Sequence, residues 1–437
     1  MARFLLTTFG SLGDLHPYLA VGAELFVRGH AVTVLTHEPY RTRVIGTGLA
    51  FAPLAPDLDA FPDPAAIMRH AMDEHRGSQY ILEHLVLPYV REQMNTTRLL
   101  AAEHDVLVSH PLTVMTPHVA EAMSKRWSGV SLQPSVMFSR IDPPIFPNIA
   151  LLSRPMQWGP GVAEIVYRLL MTVSRPMLRP IDVLRAELGL PATRRHPILE
   201  SLFSPHLHLA LFSPVFAPPQ ADWAPNTVTT GFPLHDRGEA GEGMSPALAA
   251  WLEAGEPPIV FTLGSSAVHD PGPFYAESAS AARLLGRRAV LLVGADPRTQ
   301  AALPQSAAPL LEDAPTSDIV AVAYAPHSEL MPRAAAVVHQ GGIGTMGQAL
   351  RAGRPMLVVP FSHDQPDNAM RAERLGVARM VTRRAYRADT AASALGALLT
   401  DPRVLAAATS VGERIRAEHG AQVAADALER LAEQPSP

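Results

Sequence analysis

Apolar residues in this chain fall in short blocks that recur with a regular rhythm. Phe4 to Thr8, Ala31 to Thr36, Phe51 to Leu54, Val106 to Ser109 and Leu207 to Phe212 are each four to six residues long. Blocks of this kind predict strands buried on both faces, and the longer patterned stretches between them predict helices. The first helix is expected from about Pro17 to Arg28, closed by Gly29. On that reading Pro17 takes the first helical position and His16 the cap before it, which leaves Asp14 two residues outside.

The rhythm breaks and restarts. Pro214 to Met244 is Pro-rich and loosest around Gly238, Gly241 and Gly243, as an interdomain crossing would be. Beyond it, Ile259 to Leu263, Ala289 to Val293, Ile319 to Ala323, a run ending at Val337-Val338, and Met356 to Pro360 predict a second set of strands. Two or three helical patterns follow from Val381 to Leu431. Strands alternating with helices predict an α/β chain with one doubly wound parallel sheet in each half. A length of 437 residues with 47% hydrophobic content is enough for two cores.

Composition narrows the chemistry. No cysteine is present, so disulfides and thiolate catalysis are excluded and a reducing compartment is expected. The opening MARFLLTTFG is too short and interrupted for a signal peptide, and no apolar run approaches membrane-spanning length. A net charge of −5 without a basic cluster offers no footprint for nucleic acid. Lys125 is the only lysine and is expected at the solvated surface, so a P-loop, a Schiff base or pyridoxal phosphate lacks a candidate. No G-x-S-x-G elbow supports a hydrolase. These readings point to a cytoplasmic enzyme.

The densest chemistry lies from Val337 to Asn368. Gly341, Gly342 and Gly344 open a turn after a strand, and Thr345 to Ala352 reads as a helix closed by Gly353. Free N–H groups at such a helix start favour a phosphate, with His339 at its edge. Asp364, Gln365 and Asn368 then emerge after the next strand, where open α/β sheets bind ligands, and suit sugar hydroxyls. The run His339-Gln-Gly-Gly-Ile-Gly-Thr, Gly353-Arg-Pro355, Pro360 and Asp364-Gln-Pro-Asp-Asn368 resembles the donor signature of GT-B glycosyltransferases, in the group of plant UDP-glycosyltransferases, sterol glucosyltransferases and antibiotic glycosyltransferases. LFSPVFAPPQADWAP (211–225), TGFPLHD (230–236) and FTLGS (261–265) most resemble bacterial rhamnosyltransferases of the rhamnolipid type. The likeness runs from Phe4 to about Val381.

The resemblance implies the GT-B architecture, two Rossmann-like doubly wound parallel-sheet domains facing across a cleft. It implies an acceptor domain over 1–235, a linker over 236–246, a nucleotide-sugar domain over 247–410, and a terminal helix within 411–437 returning to the first domain. GSLGDLHP matches the family's acceptor loop, so Asp14 falls where the catalytic base stands, with His16 as the rival base and Gly13 assigned to the donor. Ser265 matches a serine that contacts the diphosphate. Tyr324 and His327 match the base-binding segment, although plant members carry Trp at the former. His339, Gly341, Gly342, Gly344 and Thr345 would hold the diphosphate, Asp364 and Gln365 the sugar.

Plant members hold the ribose with a Glu where this chain has Gly347, which leaves room for a deoxyribose and a dTDP-sugar. Gln348 is the possible substitute. The greasy, Pro- and Met-rich stretch from Gln133 to Pro180 is assigned to the acceptor through Met137, Phe138 and Phe146, with His110 after the strand ending at Ser109. Asp57-Leu-Asp59 matches a metal motif of another glycosyltransferase fold but lacks a second ligand cluster, so no metal or other cofactor is expected. The partners implied are a nucleotide sugar and a hydrophobic small molecule, with peripheral membrane contact through the acceptor left open, and a monomer or homodimer. A sugar-nucleotide epimerase and a non-catalytic sugar-nucleotide binder remain as alternatives.

Overall fold

The computed structural model describes residues 1–146, 150–235, 243–296, 308–309 and 317–434. The chain divides into two compact units, one of Met1–Ala71, His75–His235 and Glu418–Pro437, the other of Met72–Glu74 and Asp236–Ala417. Of the crossing expected at 236–246, residues 236–242 lie outside the described ones.

The first unit contains β1 (Arg3–Thr7), β2 (Ala31–Thr36), β3 (Ala50–Pro53), β4 (Val106–Ser109), β5 (Arg126–Ser131), β6 (Leu207–Ala210) and β7 (Thr227–Thr229). The second contains β8 (Ile259–Thr262), β9 (Ala289–Leu292), β10 (Ala308–Pro309), β11 (Ile319–Val322), β12 (Ala336–His339), β13 (Met356–Val358) and β14 (Ala378–Met380). The helices that matter below are α1 (Leu12–Val27), α2 (Pro160–Ser174), α3 (Ile343–Ala352), α4 (Gln365–Arg374), α5 (Pro402–Arg416) and α6 (Gly420–Glu433).

Both sheets are parallel throughout. The orders are β3-β2-β1-β4-β5-β6-β7 and β10-β11-β9-β8-β12-β13-β14. Each sheet is therefore wound outward in both directions from its first strand, and the order reverses between β1 and β4 and between β8 and β12. In such sheets ligands bind where the carboxyl ends of those two strands part. Thr7 pairs with Ser109 and Thr262 with His339, so the segments after these four residues are the ones brought side by side.

Alternation along β1 sets the layers. Phe4 and Leu6 pack with Leu15, Tyr18, Leu19 and Leu25 of α1 and with Ala424, Leu428 and Leu431 of α6, whereas Leu5 faces the opposite core with Leu35, Leu107, Met94 and Val119. α6 is tied to α1 by the Arg28 guanidinium, which bonds Glu24 (3.0 Å), Asp426 (2.5 Å) and Glu429 (2.7 Å). The return to the first unit comes at Glu418, after α5, so residue 411 lies inside a helix of the second unit.

Four strands escape the hydrophobic pattern. β10, β14 and β7 are only two or three residues long. β5, Arg-Trp-Ser-Gly-Val-Ser, has Ser and Gly where the other central strands have a continuous apolar run. Gly129 is needed there because a Cβ would come within 2.1 Å of the Leu202 carbonyl. Lys125, expected in solvent, donates to the His104 carbonyl at 2.8 Å and is partly buried.

The start of α6 supplies a test. A Cβ on Gly420 would lie 2.6 Å from the Phe232 carbonyl carbon and 2.8 Å from the Gly231 oxygen, backbone atoms that cannot swing aside. Gly420→Ala is expected to lower stability by about 1 to 3 kcal/mol, read as a drop in Tm, and an unchanged Tm would show that α6 has slack against Phe232.

Candidate active site

In the first unit, β1 runs into a tight turn. Gly10 has φ +125°, and a Cβ there would lie 2.4 Å from Oδ2 of Asp14. The turn can fold back on that carboxylate only because position 10 carries no side chain. Ser11 caps α1: its Oγ accepts from Gly13 N–H at 3.2 Å, while Asp14 Oδ2 accepts from Ser11 N–H at 2.7 Å and Oγ–H at 3.1 Å. This reciprocal box starts the helix at Leu12, with Pro17 inside it. The expectation of a helix from Pro17 capped by His16 is therefore corrected, and Asp14 belongs to the first turn. The cap wins because it satisfies two N–H groups at once, while Pro17 forgoes a single interior bond.

The other oxygen of Asp14 meets His110. Oδ1 lies 3.4 Å from Nε2, and the carboxylate is 31% exposed. His110 is buried at the carboxyl end of β4, and its Nδ1 accepts from Leu112 N–H at 3.1 Å, so Nε2 carries the hydrogen in the neutral ring. Burial pushes the Asp14 carboxyl up, but the hydrogen bond and field of His110, with the bonds from Ser11, outweigh it and hold the group below its ordinary value. The result is an ionised, oriented and partly open carboxylate. Tyr40 Oη donates to the Gly10 carbonyl at 3.1 Å and Thr8 Oγ1 to that of Asp14 at 3.2 Å, which fixes the loop.

The His16 ring lies 5.5 Å from that of His235. Phe138, left-handed at φ +49°, has its ring 6.5 Å from Phe146 and 6.1 Å, edge-on, from Tyr167. It packs on a small separate core of Met156, Ala163, Val166 and Tyr167. Met137 is buried, whereas Trp158 and the α2 residues Ile165 and Val173 are exposed. The structure thus joins Phe138 to Phe146 and joins His110 to Asp14.

In the second unit the glycine turn forms beside β8. His339 is fully buried; its Nδ1 accepts from Gly341 N–H at 3.1 Å, and Nε2 lies 3.4 Å from Met356 Sδ. Burial, with the nearby His327, pushes its pKa down to about 3. The ring is neutral and both nitrogens are engaged, so His339 shapes the turn, and the Gly341 N–H expected for phosphate is already committed to it. Gly341 has φ +94°, and a Cβ would lie 2.9 Å from Val358 Cγ1 and 3.1 Å from the Gln365 carbonyl. α3 starts with Gly342 as N-cap and no side-chain cap, so the N–H groups of Ile343, Gly344 and Thr345 have no intrahelical acceptor and suit an anion.

The neighbouring residues close on this turn. Asn368 Nδ2 donates to the Gly341 carbonyl at 2.9 Å and to Asp364 Oδ2 at 2.6 Å. Gln365 Oε1 accepts the N–H groups of Phe361 at 2.7 Å and Ser362 at 3.1 Å, so its oxygen is committed to backbone. From the β8 side, Ser265 follows Gly264, where a Cβ would lie 2.4 Å from Gln340 Nε2 and 3.4 Å from Thr345 Oγ1. Tyr324, 52% exposed, and His327, whose pKa burial lowers to about 4, follow β11, two strands from β8 and hence about 10 Å across the sheet. Gly13, assigned to the donor, lies in the other unit with its N–H held by Ser11.

Gln340 was not singled out by the motif reading. It is buried, and its Oε1 has no partner among the described residues; the same holds for Asn368 Oδ1. A polar side chain between a strand and three glycines was the signal for it. Asp57 accepts from Asp59 N–H at 3.1 Å as an ordinary turn, and no group of three His, Cys, Asp or Glu suited to a metal occurs among the described residues.

Residues 291–431 match the family model of the erythromycin biosynthesis protein CIII-like C-terminal domain. The chain is 31% identical to the O-mycaminosyltylonolide 6-deoxyallosyltransferase of Streptomyces fradiae, over 99% of this chain and 98% of that protein. It is 28% identical to a sterol 3-beta-glucosyltransferase of Leptosphaeria maculans over 97% of its own length, but spans only 28% of that longer protein. Among solved structures, the spinosyn rhamnosyltransferase SpnG complexed with thymidine diphosphate superposes with a TM-score of 0.63 at 20% identity, over 98% of this chain and 100% of that one.

Buried neutral histidines make stability depend on acid. Burial lowers His37 to about 4, and His208 and His339 to about 3. An unfolded histidine takes its proton near pH 6.5, so the unfolded chain binds more protons from there downward. This contribution is complete above pH 6.5 and falls by about 1.4 kcal/mol per pH unit per histidine below it. Denaturation midpoints are expected to drop steadily from pH 6.5 to 4.5, and a flat profile would mean that these rings charge without unfolding.

Proposed function

The chain belongs to the GT-B glycosyltransferases that include O-mycaminosyltylonolide 6-deoxyallosyltransferase, and from that premise we propose that it moves a sugar from a nucleoside diphosphate to a hydroxyl of an apolar small molecule by an inverting single displacement, with Asp14 as base. The observation that carries this reading is the Asp14–His110 pair at 3.4 Å, beside the first sheet's strand reversal.

A carboxylate held below its ordinary pKa is a weak base toward a resting alcohol. The alcohol does not stay resting, however. As its oxygen bonds to the anomeric carbon it gains positive charge and its proton becomes strongly acidic, so the carboxylate accepts it late in the step. The Nε2–H of His110 keeps Oδ1 in place through the transfer. The C–O bond to the diphosphate breaks as the new one forms, and the departing charge is met by the N–H groups at the start of α3 and by Ser265, preorganised donors that need no metal. Asp364 and Gln340 receive sugar hydroxyls, and Tyr324 receives the nucleotide base.

The donor in this reading is a dTDP-sugar, most specifically dTDP-L-rhamnose. Gly347 in α3 offers no carboxylate to a ribose, and Gln348 beside it accepts from Arg351 at 2.9 Å. The deoxy-sugar named for the Streptomyces relative and the thymidine diphosphate of the spinosyn enzyme support it.

Asp14→Asn is expected to keep nucleotide affinity by calorimetry and lose at least ~100-fold in kcat. The wild-type kcat/KM should stay flat from pH 5.5 to 8, because Asp14 is ionised throughout. A limb near pH 6.5, with His16→Ala inactive, would assign the proton to His16 instead. Parallel kinetics should favour dTDP-rhamnose over UDP-glucose: the missing charge-assisted hydrogen bond to a ribose hydroxyl erases about tenfold or more of a UDP preference, and the dTDP preference itself requires the thymine methyl to find an apolar contact near Tyr324. A UDP-glucose preference would remove the donor assignment and leave the transferase reading standing.

A further inference from the structure

The part of the first unit that carries α2 departs from ordinary surface composition. Six of the sixteen large apolar side chains exposed among the described residues fall in one stretch: Ile141, Leu151, Trp158, Ile165, Leu169 and Val173, each between 47% and 90% exposed. Apolar side chains scattered singly over a surface are ordinary, but a concentration of them marks a place where something docks.

α2 is apolar on both sides. Ala163, Val166 and Tyr167 turn inward and pack with Met156, Phe138 and Leu170, which is the contact that folding requires. Ile165, Leu169 and Val173 stand four residues apart, so they share the outward side of the helix. Leu151 lies in the helix Ala150–Met156, which packs against α2, and Trp158 lies in the turn between the two.

Arginines accompany these side chains. From Arg140 to Arg179 the sequence holds five arginines and two acids, Asp142 and Glu164, a net charge of +3 in a chain whose total is −5. Glu164 pairs with both Arg140 and Arg168, so its charge is already met. Arg168 stands on the outward side of α2 beside Leu169, with its side chain 74% exposed, and Arg154 and Arg179 are exposed before and after the helix.

We infer that α2 docks on an anionic lipid surface, with Trp158, Ile165, Leu169 and Val173 entering the boundary between headgroups and acyl chains and the arginines meeting headgroup phosphates. The contact is made by the protein itself and needs no bound acceptor. Apolar chains protruding from a helix suit a fluid interface, whereas the strongest contacts of a protein partner are anchors that fill pockets. A second copy docked through the same face would set these arginines against one another. α2 has 15 residues, and no helix among the described residues is long and apolar enough to cross a membrane, so α2 lies in the plane of the surface.

Vesicle sedimentation with the full chain, without donor or acceptor, tests this. The wild type should sediment with vesicles of equimolar phosphatidylcholine and phosphatidylglycerol, and less with phosphatidylcholine alone or in high salt. Ile165→Asp combined with Val173→Asp should lower the binding constant by at least ~tenfold, while Tm and the rate of transfer to a dissolved acceptor stay unchanged. Arg154→Gln combined with Arg179→Gln should weaken the preference for the anionic vesicles. A wild type that stays in solution with both vesicle types overturns the proposal and assigns the face to a protein partner. Binding that the aspartate variant retains in full overturns it too. So does a sedimentation-velocity mass that doubles without lipid in the wild type but not in that variant, which makes the face an interface between two copies. Because binding is measured without substrates, its failure is distinct from a failure of Asp14 as base.

Discussion

A parallel sheet wound in both directions from one strand must send its two flanking connections to opposite faces, so a gap opens at that strand's carboxyl end. This constraint governs both halves of the molecule. In the first unit the gap between β1 and β4 receives the Gly10–Asp14 turn from one side and His110 from the other. In the second, the gap between β8 and β12 receives Gly264 and Ser265 opposite Gln340 to Gly342. Unrelated local sequences thus solve the same problem, a chain reversal that leaves polar groups in a place open to a ligand.

What distinguishes the two gaps is how their polar groups are committed. In the second unit most of them hold one another: His339 holds Gly341, Gln365 holds Phe361 and Ser362, and Asn368 joins the Gly341 carbonyl to Asp364. Such a frame surrounds the start of α3, whose first N–H groups have no intrahelical acceptor. In the first unit the carboxylate itself is the fixed object, pinned by Ser11 and His110. In both, a glycine allows the closest approach, Gly10 against Asp14 and Gly341 against Gln365, because any Cβ would occupy the space of the neighbour it frames.

The sequence showed this unevenly. Strands such as β1, β4 and β12 are continuous apolar runs and were readable at once, since burial on both faces imposes that composition. β5 was not, because its Ser and Gly answer to close packing against Leu202 and the β6 residues Leu207–Ala210, contacts distant in sequence. Asp14 and the HQGGIG turn were legible as motifs. The partnership of Asp14 with His110 was not, because 96 positions separate them and only the pairing of β1 with β4 joins them. The helix start was misplaced for a local reason: Pro17 is a conspicuous signal, but Ser11 and Asp14 form the stronger one. The engagement of His339 by Gly341 and Met356 likewise depends on a fold that no spacing reveals.

The central claim is that one oxygen, deprotonated at Asp14, displaces a nucleoside diphosphate held at α3 in a single step. The stereochemistry of the product tests it most directly. Transfer from an anomerically pure nucleotide sugar to a hydrophobic alcohol, read by the anomeric proton coupling in NMR, should give a glycoside of configuration opposite to the donor's, with one nucleoside diphosphate released per glycoside. Retention of configuration would contradict the account, because it requires a second displacement or a front-face attack for which Asp14 is not the base.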